Sequence, residues 1–168
     1  YAVEDGPVRL VMLDTMQPGS HSGHCPEAVA GWLERTLAAR PGVPTLLFMH
    51  HPPFVTGMGA MDEPFENVGR LADILSRSPW VRLCCGHMHR PIVTQWAGCI
   101  ALPSPAVSMQ IDLDLSPEGG DTFRMETPGY LLHHWDGSVL NSHICQIPCS
   151  PTFSGPHPFV GSVNPVEG

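Results

Sequence analysis

Charge is scarce in this sequence. Only 14% of its 168 residues are Asp, Glu, Lys or Arg, against about 25% in an average domain. A surface this poor in charge is expected to be partly covered, by a partner chain or by a further part of the same protein. Basic residues are the scarcer kind, 8 against 16 acidic, for a net charge of −8. That balance argues against general affinity for nucleic-acid backbones, which takes clusters of cations. No stretch approaches the ~18 apolar residues of a membrane-spanning helix, so no membrane partner is expected. Gly-x-Ser-x-Gly is absent, which leaves a hydrolase nucleophile elbow unsupported. So is a Gly-rich phosphate loop followed by Lys. The six cysteines make no zinc pattern. Cys84, Cys85 and Cys99 sit in apolar runs, where a thiol behaves as a small buried hydrophobe. Cys145 and Cys149, four apart in a Pro-rich region, are a disulfide or unpaired. Unpaired thiols and a cytoplasmic setting fit best.

A chain of this length is enough for one domain with a real core. Its 17 glycines and 19 prolines promise many turns without reaching low complexity. Residues 8–13 read as a buried strand ending at Asp14. Residues 17–23 are loop, and its neighbouring His21 and His24 are read as solvated histidines, with ligation the lesser alternative. Pro26 and Glu27 suit a helix start. Val29, Trp32, Leu33 and Leu37 then share one helical face until Pro41-Gly42. Residues 45–49 form a second strand. Residues 55–63, with Gly57, Gly59 and the exposed-looking Val55, Met58 and Met61, are either a lid or a plain connection. A second helix spans 67–77, with Val68, Leu71, Ala72 and Leu75 inward. A third strand spans 81–85. Residues 92–96 and 99–102 read as a hairpin around Ala97-Gly98. Residues 104–127 lose periodicity and gain Asp112, Asp114, Glu118, Asp121 and Glu126, read as a solvated acidic loop. Asp136-Gly137 signals a two-residue turn between strands at 130–135 and 138–144. Beyond residue 148 the Pro/Gly/Ser-rich tail is either disordered or wrapped over a neighbour. The alternation of strand and helix, followed by short antiparallel strands, indicates an α/β class.

Two histidine clusters stand at the ends of apolar runs. One is Met49-His50-His51-Pro52-Pro53, and the other is Gly86-His87-Met88-His89-Arg90. Loops at strand ends are where sites are built, and neutral imidazole is the commonest side-chain metal ligand. A lone His-x-His carries little. Two such clusters, each after a strand-like run, with Gly at one turn and Pro-Pro at the other, carry much more.

These motifs resemble the calcineurin-like metallophosphoesterases. Gly86-His87-Met88-His89 matches the family's Gly-His-x-His. Met49 to Pro53 matches the upstream His motif of its class III branch, the cyclic-nucleotide and glycerophosphodiester phosphodiesterases. The likeness extends through VMLDTMQPG, MDEPFEN and LPSPAVSMQ, from about residue 8 to 147. It implies a four-layer α/β/β/α sandwich, of which this chain supplies the second half with a C-terminal β-hairpin. On that reading, residues 1–103 belong to the core, 104–147 are an acidic loop and hairpin acting as cap or oligomerisation region, and 148–168 are tail. It also implies a binuclear site of Fe, Mn or Zn, with His50 and His87 on one metal and His89 on the other. His51 is not a ligand in that pattern, and orients substrate or His50, or merely packs. The family's Asp-x-His and Gly-Asn-His motifs, the last carrying its usual proton donor, are not found, and no Gly-Asp precedes the two histidine clusters. Without those ligands, one weakly held metal or none is expected here. The implied activity is hydrolysis of a small phosphodiester by a metal-activated water. The rival expectation is an inactive, self-associating C-terminal module. The resemblance further implies a homo-oligomer joined through the C-terminal region.

Overall fold

Residues 1–148 are described by the structure, a computed structural model. In chain order the elements are β1 (Ala2–Val3), β2 (Arg9–Met12), β3 (Gly23–His24), α1 (Glu27–Ala39), β4 (Thr45–Met49), β5 (Phe65–Glu66), α2 (Val68–Ser76), β6 (Val81–Cys85), β7 (Thr94–Trp96), β8 (Cys99–Pro103), β9 (Gln110–Ile111), β10 (Phe123–Arg124), β11 (Gly129–Trp135) and β12 (Leu140–Gln146). This is the mixed α/β class expected. A six-stranded sheet runs β1-β2-β4-β6-β8-β7. Its four inner strands are parallel, and β1 and β7 close the edges in antiparallel fashion.

Register assigns the two faces of that sheet. Val11, Leu47, Leu83 and Ala101 are successive cross-strand partners, all wholly buried. They form one apolar cluster with Leu33 and Leu37 of α1 and Leu71, Ile74 and Leu75 of α2. The row on the opposite face is Met12, Phe48, Cys84 and Leu102, flanked by Leu10, Leu46, Arg82 and Ile100. Helices do not cover it. The β11–β12 hairpin lies there instead, with His133 edge-on to Phe48, ring centroids 6.3 Å apart. Leu46, Cys84 and Leu102 are buried, but Ile100 remains 47% exposed.

Local sequence explains the helix ends. Pro26, with φ −57° and ψ 150°, is the N-cap of α1 rather than its first residue. Gly42, at φ 78°, turns the chain after it. Arg9 is wholly buried, although the strand expected over 8–13 was read from its apolar residues alone. It donates to the Thr36 carbonyl at 2.9 Å and the Arg40 carbonyl at 3.0 Å, and pairs with Glu4. A fixed cation thereby meets the negative end of α1. Asn67 caps α2 from the left-handed region, at φ 60°. Its amide donates to the Cys25 carbonyl at 2.8 Å, tying the helix to the loop before α1.

Several expectations need correction. The β11–β12 connection has four residues, not two: Trp135 pairs with Leu140, and the Asp136 carboxylate accepts from the Ser138 and Val139 amides. That local hydrogen bonding competes successfully with further strand pairing. Met58 is buried rather than exposed, packing with Met88 and Ile111 in a second small cluster. Ile74 joins the core face of α2, where Val68 and Ala72 are only half-buried. The acidic segment is not simply solvated. Asp112 pairs with Arg124, and Glu126 pairs with Arg90. Ala97 and Gly98, at φ 47° and 77°, make the β7–β8 turn as expected. Cys145 is half-buried, whereas Cys149 and the tail lie outside the described residues. Among the described residues, no helix is long and apolar enough to cross a membrane.

Candidate metal centre

Strands β4 and β6 are parallel neighbours, so their C-terminal ends open side by side. His50 follows β4 directly. Gly86 follows β6, and its amide faces the Met49 and His50 carbonyls at 3.3 and 3.0 Å. A Cβ at Gly86 would lie 3.0 Å from His50 Nδ1. Glycine here therefore lets the imidazole lie against the chain.

Beyond Gly86 the backbone turns sharply. His87 and His89 both hold left-handed conformations, at φ 65° and 49°. Such residues cost about 1–3 kcal/mol each and cluster at functional sites. Met88 between them is 1% exposed and packs on Met58 and Ile111. The buried methionine anchors the turn while the flanking imidazoles project from it.

His50, His51 and His87 converge. Their ring centroids lie 4.7 Å (50–51), 5.3 Å (50–87) and 5.2 Å (51–87) apart. One ring nitrogen from each falls within 4.8 Å of the others. His87 Nε2 is buried and has no hydrogen-bond partner. Burial is the leading cause holding all three imidazoles below their ordinary pKa, and the like-charged neighbours His87 and His89 add to it at His50. At His51 and His87 the Glu63 carboxylate opposes that shift. Depressed basicity keeps the rings neutral, the form that ligates metal. An orphaned nitrogen among neutral imidazoles fits a divalent metal and fits an apolar core poorly.

His89 is not among the three. Its Nδ1 donates to the Met109 carbonyl at 3.2 Å, which leaves Nε2 as the nitrogen with the free lone pair. The neighbouring Arg90 binds the Ile111 carbonyl and Glu126, so the acidic segment is docked on the Gly-His-Met-His turn. Of the loop histidines, His24 sits against the Thr15 carbonyl at 3.4 Å, and His21 is exposed with its carbonyl turned toward the His51 ring.

Two contributors carry no sequence signal. Thr15, 1% exposed, places its hydroxyl 2.9 Å from His51 Nδ1. Gly23 lies so close to His51 that an added Cβ would meet the His51 Cβ at 2.6 Å and the Phe65 ring at the same distance. Gly23 ends the loop read over 17–23, and Thr15 stands between that loop and the strand read over 8–13. Only the neighbouring Asp14 marks a strand end.

No family model matches the chain. Curated relatives do. A probable glycerophosphodiester phosphodiesterase GpdQ of Arcobacter nitrofigilis is 38% identical over 161 residues, 94% of this chain and 58% of the relative. The GpdQ of Enterobacter lignolyticus is 33% identical over 148 residues, covering 85% of this chain and 52% of that protein. The 3',5'-cyclic adenosine monophosphate phosphodiesterase CpdA of Escherichia coli K12 is 33% identical over 135 residues, 78% of this chain and 48% of CpdA. This chain belongs to the calcineurin-like metallophosphoesterases. Within that family it falls in the branch named for glycerophosphodiester and cyclic-nucleotide phosphodiesterases. As a metallophosphoesterase chain it spans about half the length of the curated relatives it matches.

Proposed function

We propose that this chain provides the histidine side of a metal-dependent phosphodiesterase centre acting on a small phosphodiester, such as a 3',5'-cyclic nucleotide or a glycerophosphodiester. The observation that carries this reading is the convergence of His50, His51 and His87, one ring nitrogen of each within 4.8 Å of the others, at the mouth of two parallel strands. The names of the relatives supply the substrate class. On this reading His50 and His87 hold one divalent metal and His89 a second, with Fe, Mn or Zn the candidates for such donors. Metals of this kind, when bound, neutralise the phosphate and lower the pKa of a water. The fold assigned to the whole is a four-layer sandwich whose second sheet and helices are residues 1–103.

The chain's own residues hold and orient. Gly86 gives His50 room, and Met88 fixes the turn that aims His87 and His89. The Met109 carbonyl keeps the His89 proton on Nδ1. His51 is wedged between Thr15 and Gly23, placed to steady His50 or the substrate. Met61 and Glu63 border a narrow cleft with His51 and His87. Replacing His87 by Ala in the intact enzyme is expected to cut hydrolysis of a chromogenic phosphodiester by orders of magnitude with circular dichroism unchanged. Near-normal turnover would overturn the assignment.

One observation favours a second reading, that of a structural, self-associating module. Val107, Leu113, Leu115, Phe123 and Met125 are 57–80% exposed in the segment 104–127. A homo-oligomer joined through residues 104–147 would cover them. Light scattering at micromolar concentration checks it, and a single species at the mass of one chain would exclude it.

A further inference from the structure

We infer that the chain carries a second ligand site, at the opposite end of the six-stranded sheet from the histidines, for a small anion with a planar apolar body, held by the Arg82 guanidinium against Trp80 and Trp135. The inference does not depend on the phosphodiesterase reading, since no residue of the histidine cluster takes part in it.

A cavity of about 430 Å³ opens where β4 and β6 begin, between the sheet and the β11–β12 hairpin. Its walls include Pro44, Trp80, Arg82, Ile100, Trp135 and Leu140. Sites for small molecules commonly enclose about 300–1,000 Å³. Chain direction sets the place of this one. Arg82 stands near the start of β6 and His87 beyond its end, so the length of the strand separates the two sites. Ile100, which neither helices nor hairpin cover, supplies apolar wall here.

The charge of the cavity is one-sided. Arg82 is the only ionisable residue on its wall. Six of the chain's arginines make ion pairs among the described residues: Arg9, Arg40, Arg70, Arg77, Arg90 and Arg124. Arg35 and Arg82 make none there. Arg35 stands exposed on α1, whereas Arg82 is half-buried. In a chain of net charge −8, a half-buried cation without a carboxylate is unusual. Its one hydrogen bond among the described residues runs from Nη1 to Ser142 Oγ at 2.6 Å, which leaves most of the planar fork for an anion. The nearby Asp136 carboxylate does not compete, being engaged by the Ser138 amide and hydroxyl and the Val139 amide. Trp80 Nε1 is buried and has no acceptor among the described residues. A ligand oxygen at this wall would satisfy it. The two indoles favour a flat body, because aromatic rings gain from stacked or edge-on contact beyond mere burial. A bare inorganic ion would leave both uncovered. Ser142 belongs to β12, so a ligand on Arg82 also bridges the sheet and the hairpin.

The probe is cinnamate, added to the 168-residue chain and followed through the indole N–H signals in nitrogen-15 NMR. The four tryptophans give four such signals. Those of Trp80 and Trp135 are expected to shift saturably, while those of Trp32 and Trp96 stay in place. Cinnamamide has the same body without the charge, and inorganic phosphate has charge without the body. Each is expected to bind about tenfold more weakly or worse, the order of one charge-assisted hydrogen bond. Arg82→Gln keeps an amide donor for Ser142 but loses the cation, and is expected to weaken cinnamate to a similar extent. Ser142→Ala keeps the cation and is expected to bind nearly as the unsubstituted chain does. Circular dichroism shows whether each variant is folded. Should Arg82→Gln fail to fold, the contrast between cinnamate and cinnamamide on the unsubstituted chain still decides. The inference is overturned by equal binding of those two compounds, by shifts confined to Trp32 and Trp96, or by no saturable shift into the millimolar range. A folded Arg82→Gln chain that binds normally overturns it, as does a Ser142→Ala chain that loses as much as Arg82→Gln. The same titration on the intact enzyme is expected to give the same shifts, and their loss there overturns the inference, since the rest of the protein then fills the cavity. None of these outcomes bears on the hydrolysis assay with His87→Ala, which judges the catalytic reading separately.

Discussion

The two faces of the six-stranded sheet are closed by different chemistry. On the helix side, Val11, Leu47, Leu83 and Ala101 have no exposed surface and meet leucines from both helices. On the hairpin side the contacts are few and directional. Arg82 donates to Ser142 Oγ at 2.6 Å, Ser142 Oγ meets His133 Nδ1 at 2.6 Å, and His133 Nε2 lies 3.6 Å from Cys84 Sγ. The Cys84 thiol, pushed up to about 12 by burial, remains protonated. Apolar burial is indifferent to pH and tolerant of small displacement. A polar clasp is neither. The helix face is therefore where stability resides, and the hairpin face is where a change of condition is felt first.

The strongest way to break this comparison is to open a hole on each side. Leu83→Ala removes a wholly buried side chain from the helix face and is expected to cost about 2–5 kcal/mol in a denaturant titration. Ser142→Ala removes the shared oxygen of the clasp and is expected to cost about 1–2 kcal/mol. Its main effect should be faster hydrogen exchange within β11 and β12 than in α1. Equal losses for the two substitutions would show that the faces are not so different.

Acid sharpens the same contrast. Burial, then the Arg82 cation, holds His133 below its ordinary value of 6.5. The unfolded chain thus binds a proton more readily than the folded one, and stability falls as the pH is lowered. The hairpin's contribution is fully present above about pH 6.5 and is lost as pH falls through the lower folded value. The clasp between the helices behaves otherwise. Hydrogen bonds from Arg70 and then Arg77 hold Glu34 down to about 2, from an ordinary 4.5. Its contribution persists above pH 4.5 and is lost only as pH falls toward 2. Around pH 5, exchange is therefore expected to quicken in β11–β12 while α1 and α2 stay protected. Simultaneous loosening of both would contradict this. The smallest effect is expected from Glu34→Gln, an exposed pair screened by salt. It should remove the small stability loss between pH 4.5 and 2 and, by linkage, lower stability at neutral pH by the same small amount.

The parts of this fold legible in the sequence are those with a period. The helices α1 and α2 and strands β4 and β6 follow from apolar spacing and from Pro and Gly at their ends. The two histidine motifs were visible because each stands where such a run stops. What could not be read depended on contacts distant in the chain. Arg9 is buried because the end of α1, some thirty residues on, offers it carbonyls. Thr15 matters only because His51, 36 positions away, comes to lie against it. Met58 looked exposed because the residues that cover it, Met88 and Ile111, come much later in the sequence.

The parallel pairing of β4 with β6 also makes the histidine cluster a gauge of strand register. Phe48 stands opposite Cys84 and Met49 opposite Cys85, and His50 and His87 meet because the count from those pairs is right. A slip of one residue moves one strand end by about 3.3 Å and exchanges its two faces. Metal–imidazole bonds are about 2.0–2.1 Å long, so no slipped form could hold an ion on these residues. Metal uptake during refolding would then mark the moment at which the two strands reach their native alignment, well after each has become extended.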